Sequence, residues 1–197
     1  MDYKAAKKFI LKKLQRELSD ELTYHGLHHT LDVLHSVEEL CMLENIPLYE
    51  ALLVKTAALF HDTGFIIGSH RHEEYSCEIA SHYLPQFDYT ADEIARINTM
   101  IRATKIPQQP QDKLSQLLCD ADLDYLGRDD FYRIGATLFE ELRMRAVVEE
   151  EESWQKIQIS FLEQHRFFTA TNQRRRAPKK ALFLEELKAA QTISQKN

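Results

Sequence analysis

Apolar residues recur along this chain at spacings of three and four, the signature of amphipathic helices. Phe9, Ile10, Leu14 and Leu18 mark a first helix, and Ser19 and Asp20 supply a cap or turn behind it. Over 22–45, Leu27, Leu31, Leu34, Val37, Leu40 and Leu43 recur at spacings of three or four. That predicts a long second helix, with Pro47 stopping it or starting the next. The stretch 48–62 is apolar over more of its circumference, through Leu52, Leu53, Ala57, Leu59 and Phe60, and belongs at the centre of a bundle. Gly64 and Gly68 bracket a loop over 63–72. Helices follow over 73–84, ending at Pro85, and over 91–103. Two prolines make 105–112 a loop. Helical spacing returns over 113–126, with Gly127 as terminator, and again over 129–148 and 152–168. An acidic run at 149–152 lies between or across those two. Residues 171–178 read as a basic connector before a last helix over 179–192. No strand pattern of useful length and no internal repeat interrupts this series.

Composition narrows the picture in a few places. The 197 residues suit one domain with a sizeable core, and only five glycines and five prolines argue against a turn-rich β-fold. A net charge of -6 keeps a protein soluble and does not favour a nucleic-acid backbone as partner. Cys41, Cys77 and Cys119 are an odd, scattered set, which reads as reduced core thiols rather than a disulfide framework or zinc knuckle. The Lys-rich start lacks the apolar run of a signal peptide, and the most apolar stretch, 51–60, is short and holds Lys55. A cytoplasmic location and no membrane association are the expectations.

The chemistry concentrates in histidines and aspartates. All the histidines but His165 fall in the first half of the chain: His25, His28, His29, His35, His61, His70, His72 and His82. His25 and His29, four apart, share a face of the expected helix. His28 is a near rival that only helix phase separates from His29. His61 and Asp62 end the apolar central helix, and a carboxylate buried there needs a positive partner. Asp122 sits between Ala121 and Leu123 in another apolar helix, and its neighbours Asp120 and Asp124 suit caps or supporting hydrogen bonds. Helices that face one another in a bundle can bring His29, His61, Asp62 and Asp122 to one point, a mixed nitrogen and oxygen set for a divalent metal.

The order of these residues resembles the HD-domain superfamily of metal-dependent phosphohydrolases. The pieces that carry the resemblance are 24-YHGLHHTLDVL-34, 58-ALFHDTG-64, 72-HEEYSCEIA-80 and 119-CDADLDYLG-127. It implies an all-α, single-domain helical bundle of the HD/phosphodiesterase type over 1–197, with a metal-site core over about 22–126 and helices over 129–193 packed on it. It implies that His29, His61, Asp62 and Asp122 hold the metal, that Asp62 also orients the attacking water, and that His25 donates a proton to the leaving group. His72 matches a histidine that serves a second metal or the phosphate. The cofactor expected is a divalent ion (Mn, Mg, Ni, Co, Fe or Zn) in one tight site, with room for a second.

Two departures from the superfamily matter. Phe65 follows 61-HDTG-64 where dinuclear cyclic-di-nucleotide phosphodiesterases carry Lys. Thr104 stands where dinuclear members place a further histidine, which counts against a full dinuclear site and against di-iron oxygen chemistry. Thr104, with Arg102 and Lys105 beside the proline loop, is assigned to substrate binding. The cluster Arg174, Arg175, Arg176, Lys179 and Lys180 reads as a solvated connector balancing the 149–152 run. The function expected is hydrolysis of a small phosphorylated substrate, a nucleotide or cyclic nucleotide, by a protein that can self-associate. The alternative is an inactive HD module that senses a nucleotide and regulates a partner.

Overall fold

The computed structural model describes residues 1–194, and those residues contain helices and no strand. They divide into two compact units, Met1–Leu123 and Asp124–Asn197. The first contains α1 (Tyr3–Glu17), α2 (Leu27–Leu43), α3 (Leu48–Phe60), α4 (His72–Tyr83), α5 (Ala91–Ala103) and α6 (Lys113–Asp122), with 3-10 turns at Thr63–Ile66 and Leu84–Phe87.

Helix α3 is the axis of this unit. Ala51, Leu53, Val54, Thr56, Ala57, Ala58, Leu59 and Phe60 are all buried, so the helix is enclosed on most sides. It packs against α1, α2, α4, α5 and α6. Burial on every side leaves its C-terminal end, at His61 and Asp62, inside the unit as well. Beyond it the 3-10 turn lies close against α4. A Cβ on Gly64 would fall 1.9 Å from the His72 carbonyl oxygen, so only glycine allows that approach. The Gly64 N–H donates to Ser76 Oγ at 2.8 Å across the same contact.

Helix α2 differs from its sequence reading at both ends of its pattern. It begins at Leu27, not near 22, because the chain through Thr23–His25 turns before Gly26, whose extended backbone caps the helix. Its buried face is His29, Thr30, Val33, Leu34, Val37, Leu40 and Cys41, while Leu31 and Leu43 are exposed. The true stripe is rotated so that it includes His29. The three cysteines are buried and free; burial pushes the thiols up, to about 11 at Cys41 and about 12 at Cys77.

The second unit holds a 3-10 turn at Asp124–Gly127, then α7 (Phe131–Met144), α8 (Glu151–Gln164), α9 (Ala170–Arg175) and α10 (Ala177–Ser194). Phe131 and Phe183 stack at 4.6 Å in its core. The basic segment read as a connector is largely helical. Thr169 caps α9 by accepting from the Asn172 N–H, and Pro178 falls in the first turn of α10, where a missing N–H costs nothing. Nor is that segment only solvated: Arg176 Nε donates to buried Asp124 at 2.8 Å. Asn172 Nδ2 donates to the same oxygen at 3.1 Å, and Lys179 pairs with Asp129. Asp124 therefore serves this unit's interior as an anchor for two arginines, Arg176 and Arg128.

Candidate metal centre

Three helices deliver the donors. His29 comes from the first turn of α2, His61 and Asp62 from the end of α3, and Asp122 from the last residue of α6. His29 Nε2 lies 3.1 Å from Asp122 Oδ1, 3.4 Å from Asp62 Oδ2 and 3.4 Å from His61 Nε2. His61 Nε2 lies 3.2 Å from Asp62 Oδ2 and 3.4 Å from Asp122 Oδ1. Donors held about 2.1 Å from one ion sit roughly 3.0–3.4 Å apart as neighbours, so these spacings suit a shared ion. His29, His61 and Asp122 each offer a donor atom within 4.8 Å of the others. His28, one residue before His29, is exposed.

The chemistry of the donors makes the same point independently. His61 Nδ1 faces the Ala58 carbonyl at 2.9 Å, which fixes the proton there in the neutral ring and turns the lone pair of Nε2 inward. That lone pair meets Asp62 Oδ2, a buried oxygen with no hydrogen-bond partner among the described residues. Two lone-pair atoms at 3.2 Å require a cation or a proton between them. Burial opposes the imidazolium, but the charge of Asp62 and the hydrogen bond and charge of Asp122 outweigh it and hold His61 well above the usual imidazole range. Burial likewise opposes the carboxylates, yet the charge of His61 holds Asp62 well below its usual range. Hydrogen bonds from His29 and His61 bring Asp122 down to about 2.

His25 and His72 flank this cluster. His25 lies outside α2, in the turn before Gly26, so it does not share a helix face with His29. It is brought in instead by stacking on Phe65 at 4.2 Å and 19°. Phe65 also meets His72 at 4.3 Å, so one ring contacts both imidazoles, whose centroids are 6.2 Å apart. His72 Nδ1 faces the Ser69 carbonyl, and its Nε2 lies 3.5 Å from Asp62 Oδ1. Asp62 thus turns one oxygen to His29 and His61 and the other to His72.

The residues assigned to substrate binding sit differently. Arg102 and Lys105 are exposed, and Arg102 Nε donates to Glu74 on α4 at 3.1 Å. Thr104 is buried, and its hydroxyl donates to the Ile101 carbonyl at 2.8 Å, spent within its own helix. Two residues that sequence reasoning missed are at the cluster. Glu73, buried beside His72, places Oε1 3.5 Å from His72 Nε2. Gln108, in the proline loop, donates Nε2 to the Cys119 carbonyl at 3.2 Å and approaches Asp122 Oδ2 at 3.5 Å. The position of Glu73 next to His72 in 72-HEEYSCEIA-80 is the one signal that could have drawn attention to it; a loop glutamine carries none.

Among the described residues no helix is long and apolar enough to cross a membrane. The family model described as HD domain matches residues 26–124, which covers all four donors and His72. No curated protein and no solved structure matches the chain.

Proposed function

We propose that this chain, which belongs to the HD domain family, is a metal-dependent phosphohydrolase that cleaves a phosphoester of a nucleotide or cyclic nucleotide. The observation that carries the reading is the unpartnered, buried Asp62 Oδ2 facing the Nε2 atoms of His29 and His61, with Asp122 alongside. His29, His61, Asp62 and Asp122 would hold one divalent ion. Such an ion lowers the pKa of water from about 15.7 toward 7 and offsets charge on phosphoryl oxygens.

The chain's own groups supply the rest. Asp62 Oδ1, free of the pair of imidazoles that face Oδ2, accepts a proton from the attacking water and sets its direction. His25 is half-buried, 6.0 Å ring to ring from His29, and can donate a proton to the leaving oxygen. Phe65 packs against both His25 and His72 and would help hold their rings beside the cluster. His72, with Nδ1 donating to the Ser69 carbonyl, would offer the Nε2 lone pair to a second, looser metal ion. Lys105, at the exposed end of the proline loop, is offered as a distal phosphate contact.

The test strips the protein with chelator and reloads it with Mn, Mg, Ni, Co, Fe or Zn in turn. Each form is then assayed for product over phosphomonoesters, nucleotides and cyclic nucleotides. Turnover that requires metal and disappears in His61→Ala and Asp62→Ala supports the proposal. Turnover unchanged in those variants refutes it, and nucleotide binding without product under every metal favours the regulatory module.

A further inference from the structure

Gln108 stands in an arrangement that stability does not explain. It lies in the loop between α5 and α6, and its side-chain nitrogen reaches two acceptors on α6: the Cys119 carbonyl at 3.2 Å and Asp122 Oδ2 at 3.5 Å. Cys119 and Asp122 are three residues apart, so they stack on one face of the helix. The Cys119 carbonyl is also among the last four of α6, the set that lacks helical partners as a class. One amide thus spans the final turn and ties a ligand side chain to its own helix end.

The orientation of that amide is dictated by chemistry. Turned over, Oε1 would face a carbonyl and a carboxylate, three acceptors with no proton among them. In the orientation observed, Oε1 is left buried with no hydrogen-bond partner among the described residues. A buried acceptor without a partner destabilises a fold. An aliphatic side chain of similar size would remove that unpaired acceptor but leave the Cys119 carbonyl without its donor, so helix capping roughly balances the penalty and leaves the contact to Asp122 as the amide's distinctive contribution.

We infer that Gln108 is a positioning residue for Asp122, and that it sets how the carboxylate meets the ion. The inference rests on the metal site proposed above. Asp122 Oδ1 faces His29 at 3.1 Å and His61 at 3.4 Å, while Oδ2 is turned toward Gln108. Drawing Oδ2 away leaves one oxygen for the ion and keeps the carboxylate from chelating it through both. That preserves an open coordination position, which a catalytic site needs and a purely structural site does not. Partners that orient ligating groups in this way typically contribute about 10- to 100-fold in metal affinity.

Two variants test this. Gln108→Leu keeps the bulk and removes both the donor and the unpartnered acceptor. Gln108→Asn keeps the amide but loses the reach. Co(II) is the probe, with affinity measured by chelator competition and coordination by visible absorption; thermal unfolding of the metal-free protein is followed in parallel. The expected result is Co(II) binding weakened about 10-fold or more in both variants. The Co(II) bands should weaken and shift as Asp122 swings to bind through both oxygens. The metal-free melting temperature of Gln108→Leu should change little, because the lost Cys119 bond offsets removal of the unpartnered acceptor. If the leucine variant does not fold, the asparagine variant decides alone. Wild-type affinity and spectrum in a folded variant overturn the inference and leave the metal site standing. So does an affinity loss that tracks a fall in metal-free stability. A wild-type chain that takes up no Co(II) overturns the metal site and this inference together.

Discussion

Gly64→Ala should damage the fold and the site together, and the size of the effect follows from one distance. The new Cβ would sit 1.9 Å from the His72 carbonyl oxygen, and 2.7 and 2.9 Å from that residue's carbonyl carbon and Cα. These are backbone atoms, so no side chain can swing aside. From 1.9 Å to the 3.4 Å where ordinary contact begins is about 1.5 Å of travel, shared between the 3-10 turn and the start of α4. Overpacking of this kind costs about 1–3 kcal/mol. Losing the buried Gly64 N–H to Ser76 Oγ bond at 2.8 Å adds about 1 kcal/mol. Alanine's smaller unfolded-state entropy returns roughly 0.4–1 kcal/mol. The net is about 2 kcal/mol, or roughly 8 °C in melting temperature for a unit of this size. The displacement also separates Asp62 from His72, whose facing atoms are now 3.5 Å apart. Urea and thermal unfolding measure the effect, with Gly68→Ala as control. Nothing lies within 4 Å of a Cβ at Gly68, so that variant should stay within about 0.5 kcal/mol of wild type. Equal stability of the two variants would refute the packing argument.

Other consequences can be measured on the same protein. At a free metal concentration about 100 times the dissociation constant, the wild type should gain about 2.7 kcal/mol of stability, and Asp122→Ala should lose most of that gain. This is read by thermal unfolding with and without chelator. In the metal-free protein, the raised His61 value contributes stability that is fully present below its ordinary 6.5 and is lost as pH rises through the folded value. The depressed Asp62 and Asp122 values contribute above their ordinary 3.8, and that contribution is lost as pH falls through the folded values, about 2 for Asp122. Stability of the stripped protein should therefore peak between these limits. Metal must displace the His61 proton, so metal affinity should rise with pH; a flat affinity profile from calorimetry would contradict this. Asp124→Ala removes the buried carboxylate that Arg176 pairs with at 2.8 Å, while Arg128 keeps Asp130, so the cost should be about 3 kcal/mol with metal content retained. Metal loss in a folded Asp124→Ala protein would show that the aspartate two residues after Asp122 had been misassigned.

Much of this was legible in the chain, and the failures have physical causes. The all-helical class followed from spacing, and α3 was placed at the centre because its apolar residues leave no polar face. His29 was preferred to His28 by helical phase alone, and the buried face of α2 includes His29. Leu31 and Leu43 are exposed because repeated steps of three fall short of a full turn each time and carry the leucine pattern round the helix, off the face that holds His29. His25 was placed on a helix it does not join. Its proximity to the cluster comes from stacking on Phe65, a contact between residues forty apart that periodicity does not encode. Pro178 was read as the end of a connector when it lies in the first turn of a helix, since proline serves both roles. Gln108 escaped because an uncharged loop residue acquires its role only when the loop folds back on α6.

The central claim is that His29, His61, Asp62 and Asp122 together hold a divalent ion. Metal content per chain, measured by mass spectrometry on gel-filtered wild type and on a folded His61→Ala protein after equilibration with Mn, Co or Zn, tests it most directly. About one tightly held ion per wild-type chain and near none in the variant is the expected result. No retained metal in the wild type, or equal retention in both, would contradict it.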